Sequence, residues 1–274
     1  MPNKPDELSR STIRMNQAVG LWVIGWRFGC WVARLALVLT SHEHSRLVPC
    51  SVPVQQTTDA NWEEVFSRIT HGHAPPAKQS LEASIEEGKE FLDAGITAAG
   101  ADVLDLGCGN GRQLIGLLDQ GLKSYSGLDP VQESIDFCNR ELAPRIEGSQ
   151  FVFLDVFNEY YNPQGSQSAQ HVVLPFPDAS FDCVLTGSVF THLATVEIST
   201  RHIAEIVRVL KPGGRLFSSW FRNPPNGLSD NSHRTVLTEG EILNMLTKDF
   251  HIYQSRGGFM GEFHDQWCLF SRKR

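Results

Sequence analysis

The chain has 274 residues, 41% of them apolar and 20% charged, and its 24 Lys and Arg against 31 Asp and Glu give a formal net charge of -7. That length holds one large domain, or a domain with an appendage, and the apolar content suffices for a sizeable core. The acidic balance and the lack of any run of basic residues argue against a nucleic-acid backbone as the main ligand, because phosphate neutralisation needs clustered Lys and Arg. The cysteines Cys30, Cys50, Cys108, Cys138, Cys183 and Cys268 are dispersed without a CxxC pair, a usage that fits a reducing, cytoplasmic compartment better than a disulfide framework.

The first distinctive stretch, Val19 to Thr40, is apolar and rich in Trp, but Arg27 and Arg34 lie inside it. A membrane span wants about 20 apolar residues, and a central Arg costs roughly 2.5 to 3.5 kcal/mol on insertion scales. The two arginines fall on one helical face, so the pattern fits a helix with a charged stripe rather than a span. No small-residue cleavage site follows, which argues against a signal peptide. Two readings stay open: a helix making peripheral membrane contact through residues 19–40, and an arm packed on its own domain or on a second subunit, which is preferred. Residues 1–78 are expected to form a helical extension interrupted at Pro49, Pro53 and the Pro75-Pro76 pair. Within it, His42-Glu43-His44 and His71-Gly72-His73 have a spacing that could chelate a metal from an extended strand. Neither has a partnering set nearby, so no metal is expected. Trp62 and Phe66 suit either a lid or core packing, with packing preferred.

A helix over Gln79–Asp93 is predicted to lead into the main domain, residues 79–274. From Ala101 onward short apolar runs alternate with helical periods, the pattern of βαβ units on a parallel sheet. Strands are predicted at Asp102–Leu106, Ser124–Leu128, Phe151–Asp155, Phe181–Thr186, Arg215–Trp220, Phe250–Gln254 and Gln266–Arg272. Helices are predicted at Gln113–Gln120, Val131–Leu142 and Glu197–Leu210, the last ended by Lys211-Pro212-Gly213-Gly214. Thr238-Glu239-Gly240-Glu241 matches a capping box opening a helix to about Lys248. The polar segment Asn158–Gln170 reads as a long loop.

The chemistry concentrates in Asp105-Leu106-Gly107-Cys108-Gly109-Asn110-Gly111. Three glycines directly after a strand let the chain turn tightly and bring backbone N–H groups against a ligand. The third glycine comes one residue early for the dinucleotide fingerprint, and Asp105 would repel a pyrophosphate while favouring a cationic ligand. Asp129, ending the second strand before Pro130, can accept both hydroxyls of a ribose; a solvated turn is its bland alternative. Asp155, closing the third strand, could accept from an adenine amino group with Val156 on the ring, or could equally cap a loop.

The run VLDLGCGNGR, the dipeptide Asp129-Pro130, the stretch LPFPDASFD (Leu174–Asp182) and IVRVLKPGGRLF (Ile206–Phe217) together resemble a class I S-adenosylmethionine-dependent methyltransferase over roughly residues 80–274. The resemblance implies a doubly wound α/β fold of Rossmann-like type, a mostly parallel seven-stranded sheet whose last strand is antiparallel, here with the N-terminal helical extension. It implies S-adenosyl-L-methionine as cofactor, with Asp105, Gly107, Cys108, Gly109 and Gly111 at the methionine half, Asp129 and Pro130 at the ribose, and Asp155 and Val156 at the adenine. The segment from Thr186 to Leu193 would lie beside the transferable methyl. His192, at the sheet edge where ligands bind in open α/β folds, is the candidate general base, since His can hold a proton near neutral pH; capping or packing of the following helix is the alternative. His264-Asp265-Gln266 could reach the acceptor pocket or form an ordinary turn. The implied activity is methyl transfer to a small-molecule, lipid or saccharide acceptor, expected at oxygen. Two other readings are a non-catalytic cofactor-binding module and a nucleotide-dependent oxidoreductase on a similar sheet.

Overall fold

A computed structural model describes residues 46–57, 60–69, 81–221, 235–259 and 266–274. The stretch 19–40, both HxH pairs, and His264 and Asp265 lie outside the described residues. The described residues all belong to one compact unit, His42–Arg274. In chain order its elements are β1 (Gln55–Gln56), α1 (Trp62–Ile69), α2 (Leu81–Asp93), β2 (Asp102–Leu106), α3 (Arg112–Leu117), β3 (Ser124–Asp129), α4 (Gln132–Phe137), β4 (Ile146–Glu147), β5 (Ser149–Phe153), β6 (Phe181–Thr186), α5 (Val196–Val209), β7 (Leu210–Trp220), α6 (Glu239–Leu246), β8 (Phe250–Phe259) and β9 (Gln266–Lys273). None of the described helices is long and apolar enough to cross a membrane.

Seven strands form one sheet in the order β5-β3-β2-β6-β7-β9-β8. The first five run parallel, and β9 pairs antiparallel with both β7 and β8. The expected α/β fold, a mostly parallel seven-stranded sheet of Rossmann-like type, is the one observed. Strand order reverses at β2, where chain direction sends β3 to one side and β6 to the other. That switch point opens a crevice beyond the carboxyl ends of the strands.

Alternation along the strands divides the core between the two faces. Val103, Tyr125, Cys183 and Phe217 pack beneath helices α1 to α4. Leu104, Leu106, Leu128, Val184 and Leu216 pack on the other side, with Ile203 and Ile206 of α5 and Ile242 of α6. Val54, Val65 and Phe66 belong to the first of these clusters, so Phe66 is a packing residue. Residues preceding the sheet also attach by backbone, through β1, which pairs with β4.

Several boundaries move for identifiable reasons. β5 spans Ser149–Phe153 rather than reaching Asp155, because the chain turns at Leu154, whose carbonyl accepts from the N–H of Val156 at 2.6 Å. The helix expected to Gln120 ends at Leu117 and tightens into a 3₁₀ turn over Leu118–Gln120, and that expected over Val131–Leu142 widens into a π turn over Cys138–Leu142. α5 ends at Val209 as the Lys-Pro-Gly-Gly signal requires, yet β7 begins at once with Leu210 opposite Phe181. The ladder resumes at Arg215 opposite Cys183, and the Pro-Gly-Gly residues bulge out between. The Thr238–Glu241 capping box forms with both reciprocal bonds. The loop after β5 is not structureless: it contains a 3₁₀ turn at Ala169–His171 and bridges pairing Val156 with Gln167 and Asn158 with Asn162.

Two further anchors set the crevice. Glu205 of α5 accepts from the backbone N–H of Leu174 at 2.9 Å, and Arg208 donates to the carbonyls of Leu174 and Phe176, fixing the LPFPDASFD stretch to the helix. On the other face, α2 and α3 cross at two glycines. A Cβ on Gly88 would lie 1.9 Å from the carbonyl oxygen of Gly116, and one on Gly116 would lie 2.0 Å from that of Ser84. Both obstacles are backbone, so the helices must separate to admit a methyl group. Gly88→Ala is expected to destabilise the fold by about 3 kcal/mol, the upper part of the overpacking range. Thermal unfolding should show it as a drop in Tm of roughly 6 to 12 °C.

Candidate active site

The turn after β2 follows from its glycines. Gly107, Gly109 and Gly111 all adopt positive φ, at 80°, 51° and 80°. A Cβ on Gly107 would lie 2.4 Å from Cγ2 of Val189, so this glycine lets the segment after β6 close onto the turn. A Cβ on Gly109 would meet no protein atom within 4 Å. Its backbone therefore faces open space, as a surface for ligand approach requires. Gly111 caps α3, and the Cys108 and Cys138 thiols both reach the Gly109 carbonyl, at 3.5 and 3.4 Å. Burial pushes the Cys108 thiol well above its ordinary pKa, which keeps it neutral and packing rather than reactive.

Two carboxylates flank the turn from adjacent strands. Asp105 is 1% exposed and accepts from the Tyr125 hydroxyl at 2.5 Å. Gln113, its amide oriented to donate, brings Nε2 within 3.0 Å of Oδ1 and 3.2 Å of Oδ2. Burial raises the Asp105 pKa to about 7, against the opposing pull of the Tyr125 hydrogen bond and the nearby Arg112 charge. Asp129 accepts from the backbone N–H of Gly109 and of Val131, each at 2.8 Å. The second of these is an Asx turn across Pro130, whose fixed φ helps hold the carboxylate toward the glycines. Burial raises its pKa to about 6, against the opposing pull of the backbone N–H groups of Val131 and Gly109, which favour the charged form. Two desolvated carboxylates side by side make a site that favours a cation.

The expected adenine residues are arranged differently. Asp155 lies on the turn beyond β5 and accepts from the Ser166 hydroxyl at 2.5 Å, the Ser166 N–H at 3.2 Å and the Asn162 amide at 3.3 Å. These contacts, led by the Ser166 hydroxyl, hold its carboxyl below the usual range. A carboxylate offers about four acceptor sites, so Asp155 has capacity for about one bond beyond its loop. Val156 is buried in the cluster on the α5 face.

On the opposite flank, Thr186 ends β6 with its hydroxyl donating 2.9 Å to the carbonyl of Phe217, so its side chain is spent inside the sheet. Ser188 takes a left-handed conformation at φ 62°. Its N–H donates to Ser219 Oγ at 2.7 Å, its carbonyl accepts from the Thr191 hydroxyl at 2.5 Å, and its hydroxyl meets the Gln266 amide. His192, four residues on, is half-buried, with the Tyr161 hydroxyl 3.3 Å from Nε2.

Asp105, the glycines and Asp129 are thus brought together directly. His192 is linked to them through Val189, while the Asp155 carboxylate is committed to its own loop. Tyr125, Gln113 and Tyr161 are additions that the motifs do not supply, whereas Ser188 falls within the segment Thr186–Leu193. Tyr125 was in principle accessible, since its register partner Val103 and the alternation along β3 put its ring on the Asp105 face. Among the described residues there is no group of His, Cys, Asp and Glu arranged to hold a metal.

Residues 104–218 match the family model described as a methyltransferase domain. A phthiotriol/phenolphthiotriol dimycocerosates methyltransferase of Mycobacterium tuberculosis is 32% identical over 165 residues, 56% of this chain and 52% of that protein. The chain therefore spans about half the length of that curated relative. A methyltransferase-family protein of Encephalitozoon cuniculi is 33% identical over 177 residues, 62% of this chain and 70% of its own. Among solved structures, magnesium protoporphyrin IX methyltransferase from Synechocystis with bound S-adenosylhomocysteine aligns with a TM-score of 0.53 at 16% identity, covering 79% of this chain and 96% of that one. The fold, the glycine turn between two buried carboxylates and these matches converge: the chain belongs to the class I S-adenosylmethionine-dependent methyltransferases.

Proposed function

We propose that this protein transfers the methyl group of S-adenosylmethionine to an oxygen of a small-molecule, lipid or saccharide acceptor, with His192 as general base. The observation that carries the reading is the pair of buried carboxylates, Asp105 and Asp129, around a turn whose Gly109 opens onto free space. Asp105 and the backbone of Gly107, Cys108, Gly109 and Gly111 would hold the charged amino-acid half of the cofactor. Asp129, oriented by Pro130, would take the ribose hydroxyls. Asp155 would contribute at most one bond to the adenine, with Val156 and the backbone at Thr186 completing the contact. When bound, the cofactor supplies an electrophilic methyl on a sulfonium.

The chain's own residues then do two things. They position the reacting atoms, a contribution on the order of 7 to 11 kcal/mol where geometry is well fixed. They also remove the acceptor proton, which general-base assistance accelerates by roughly a hundred- to ten-thousand-fold. A hydroxyl acceptor is supported by the imidazole of His192, whose backbone N–H donates to the carbonyl of Val189 beside the glycine turn, and by the mycobacterial relative, which is named for triol substrates. The acidic net charge and the absence of a basic run support an acceptor other than nucleic acid. A cytoplasmic setting is supported by the free cysteines Cys50, Cys108, Cys138, Cys183 and Cys268. Residues 1–78 are read as an extension of the catalytic domain, with residues 19–40 its arm or membrane-surface contact.

Three outcomes test this reading. Asp129→Ala removes the proposed ribose acceptor and should weaken S-adenosylhomocysteine binding about a hundredfold, from two lost bonds to a charged group; calorimetry showing unchanged affinity would refute the assignment. The raised carboxylates give a second. Asp105 and Asp129, with pKa near 7 and 6, favour the ligand-free fold at low pH and oppose it as pH rises through those values. A cation binds their ionised forms, so affinity should fall by at least about tenfold from pH 7.5 to 5.5, with proton release on binding. Asp105→Asn should flatten that dependence in calorimetry repeated in buffers of different ionisation enthalpy. Third, His192→Gln should lower transfer of labelled methyl into a metabolite extract by about a hundredfold or more while leaving cofactor affinity unchanged.

A further inference from the structure

The connection after β5 begins with a turn organised around one amide. Asn158 Oδ1 accepts from the backbone N–H of Tyr160 and of Tyr161, each at 3.0 Å, while Nδ2 donates 3.2 Å to the carbonyl of His192. Reciprocal backbone bonds between Asn158 and Asn162, at 3.1 and 2.9 Å, close the turn. At its base Asp155 grips Ser166 and Asn162. The turn is therefore tied at one end to the edge of β5 and at the other to the segment after β6. This fastening presents the Tyr161 ring edge-on to His192, with centroids 5.1 Å apart and planes at 84°, and sets the phenol oxygen 3.3 Å from Nε2. Tyr160 stands edge-on to Tyr161 in turn, at 4.9 Å.

A neutral imidazole accepts at one nitrogen only if the other carries its proton. A phenol keeps its own proton at neutral pH and can meet Nε2 either as donor or as acceptor; the relay requires the first arrangement, with Tyr161 donating to Nε2 and the ring proton on Nδ1. The geometry points to a Tyr161–His192 relay, in which the hydroxyl that meets the acceptor is that of Tyr161 and the base behind it is His192 Nε2. This rests on the reading of His192 as the base and names the group through which it works. As the acceptor oxygen takes the methyl, its proton passes to the Tyr161 oxygen while the Tyr161 proton passes to Nε2. The phenol ends neutral and the imidazole protonated, and solvent then removes that proton. A relay through a hydroxyl favours acceptors that present an O–H, because such a group can both donate to the Tyr161 oxygen and attack the methyl along its remaining lone pairs. The Asn158 clamp fixes the partners' separation, since one side chain holds both the Tyr161 backbone and the His192 carbonyl.

The relay is tested on the full chain without an acceptor, by long-range proton–nitrogen correlation on protein labelled in its histidine rings. The His192 signals are identified by their absence from His192→Gln. Above the imidazole's titration midpoint the wild type should carry its proton on Nδ1, and Tyr161→Phe, which keeps the ring contact, should move it predominantly to Nε2 and raise the midpoint. Circular dichroism and the thermal shift with S-adenosylhomocysteine confirm that the variant is folded. An Nε2–H ring in the wild type, or a tautomer and midpoint unaltered by Tyr161→Phe, would overturn the relay. Because the readout is the imidazole itself, it stands apart from the base assignment, which the transfer assay on His192→Gln reads.

Discussion

The constraint on which this structure depends is the burial of two carboxylates at the ends of neighbouring strands. Asp105 and Asp129 are 1% and 6% exposed, and a desolvated carboxylate pair opposes its own ionisation. The fold answers that cost with oriented donors: a phenol and an amide on Asp105, two backbone N–H groups on Asp129. The remaining imbalance leaves both pKa values raised, so the turn between them is electrostatically incomplete without a positive partner. On the proposed reading the same imbalance would favour a cationic nucleoside over a dinucleotide, since a pyrophosphate would add negative charge to a site already short of positive charge.

The glycine turn also couples the two halves of the crevice. Val189 packs against Gly107 where any side chain would collide, so the segment after β6 cannot move without disturbing the turn. Ser188, one residue earlier, adopts a left-handed backbone that an L residue other than glycine takes only when its surroundings hold it there. Here the holders are Ser219 on β7 and Gln266 at the start of β9. The antiparallel last strand therefore does more than close the sheet: its first residue reaches across to the Ser188 hydroxyl beside the proposed methyl position.

Much of this was legible in the residues. The strand–glycine–helix order, Asp129 before Pro130 and the capping box at Thr238 are local signals, and local signals carry their own geometry. The departures arise where the decisive partner is distant in sequence. α4 widens into a π turn over Cys138–Leu142, where Cys138 and Leu142 lie against Gly111, contacts of about thirty residues' separation that no period in α4 announces. Asp155 was placed on a strand by its apolar neighbours, yet the strand ends at Phe153 and the carboxylate turns to Ser166 and Asn162. Tyr161 carried no motif at all. Its contact with His192 requires the β5–β6 connection to cross from one side of β2 to the other, which is a property of strand order rather than of either segment.

That crossing explains the length of the connection. β5 and β6 flank the β3–β2 pair in the sheet, so the chain leaving β5 must pass two strand ends before it can re-enter as β6. A short link would run straight down the α5 face, where Val172, Leu174 and Phe176 do pack. The extra residues between Val156 and Gln167, closed at their base by a bridge, instead loop out and reach the carbonyl and ring of His192 before the chain turns down. Insertion at this point costs little in loop entropy, while it adds polar and aromatic groups beside the proposed acceptor position without altering the carboxylates proposed for the cofactor side. On the proposed reading, acceptor choice and cofactor binding would be carried by separate pieces of the chain that meet at His192, one built from the strand ends and the other from the loop that passes over them.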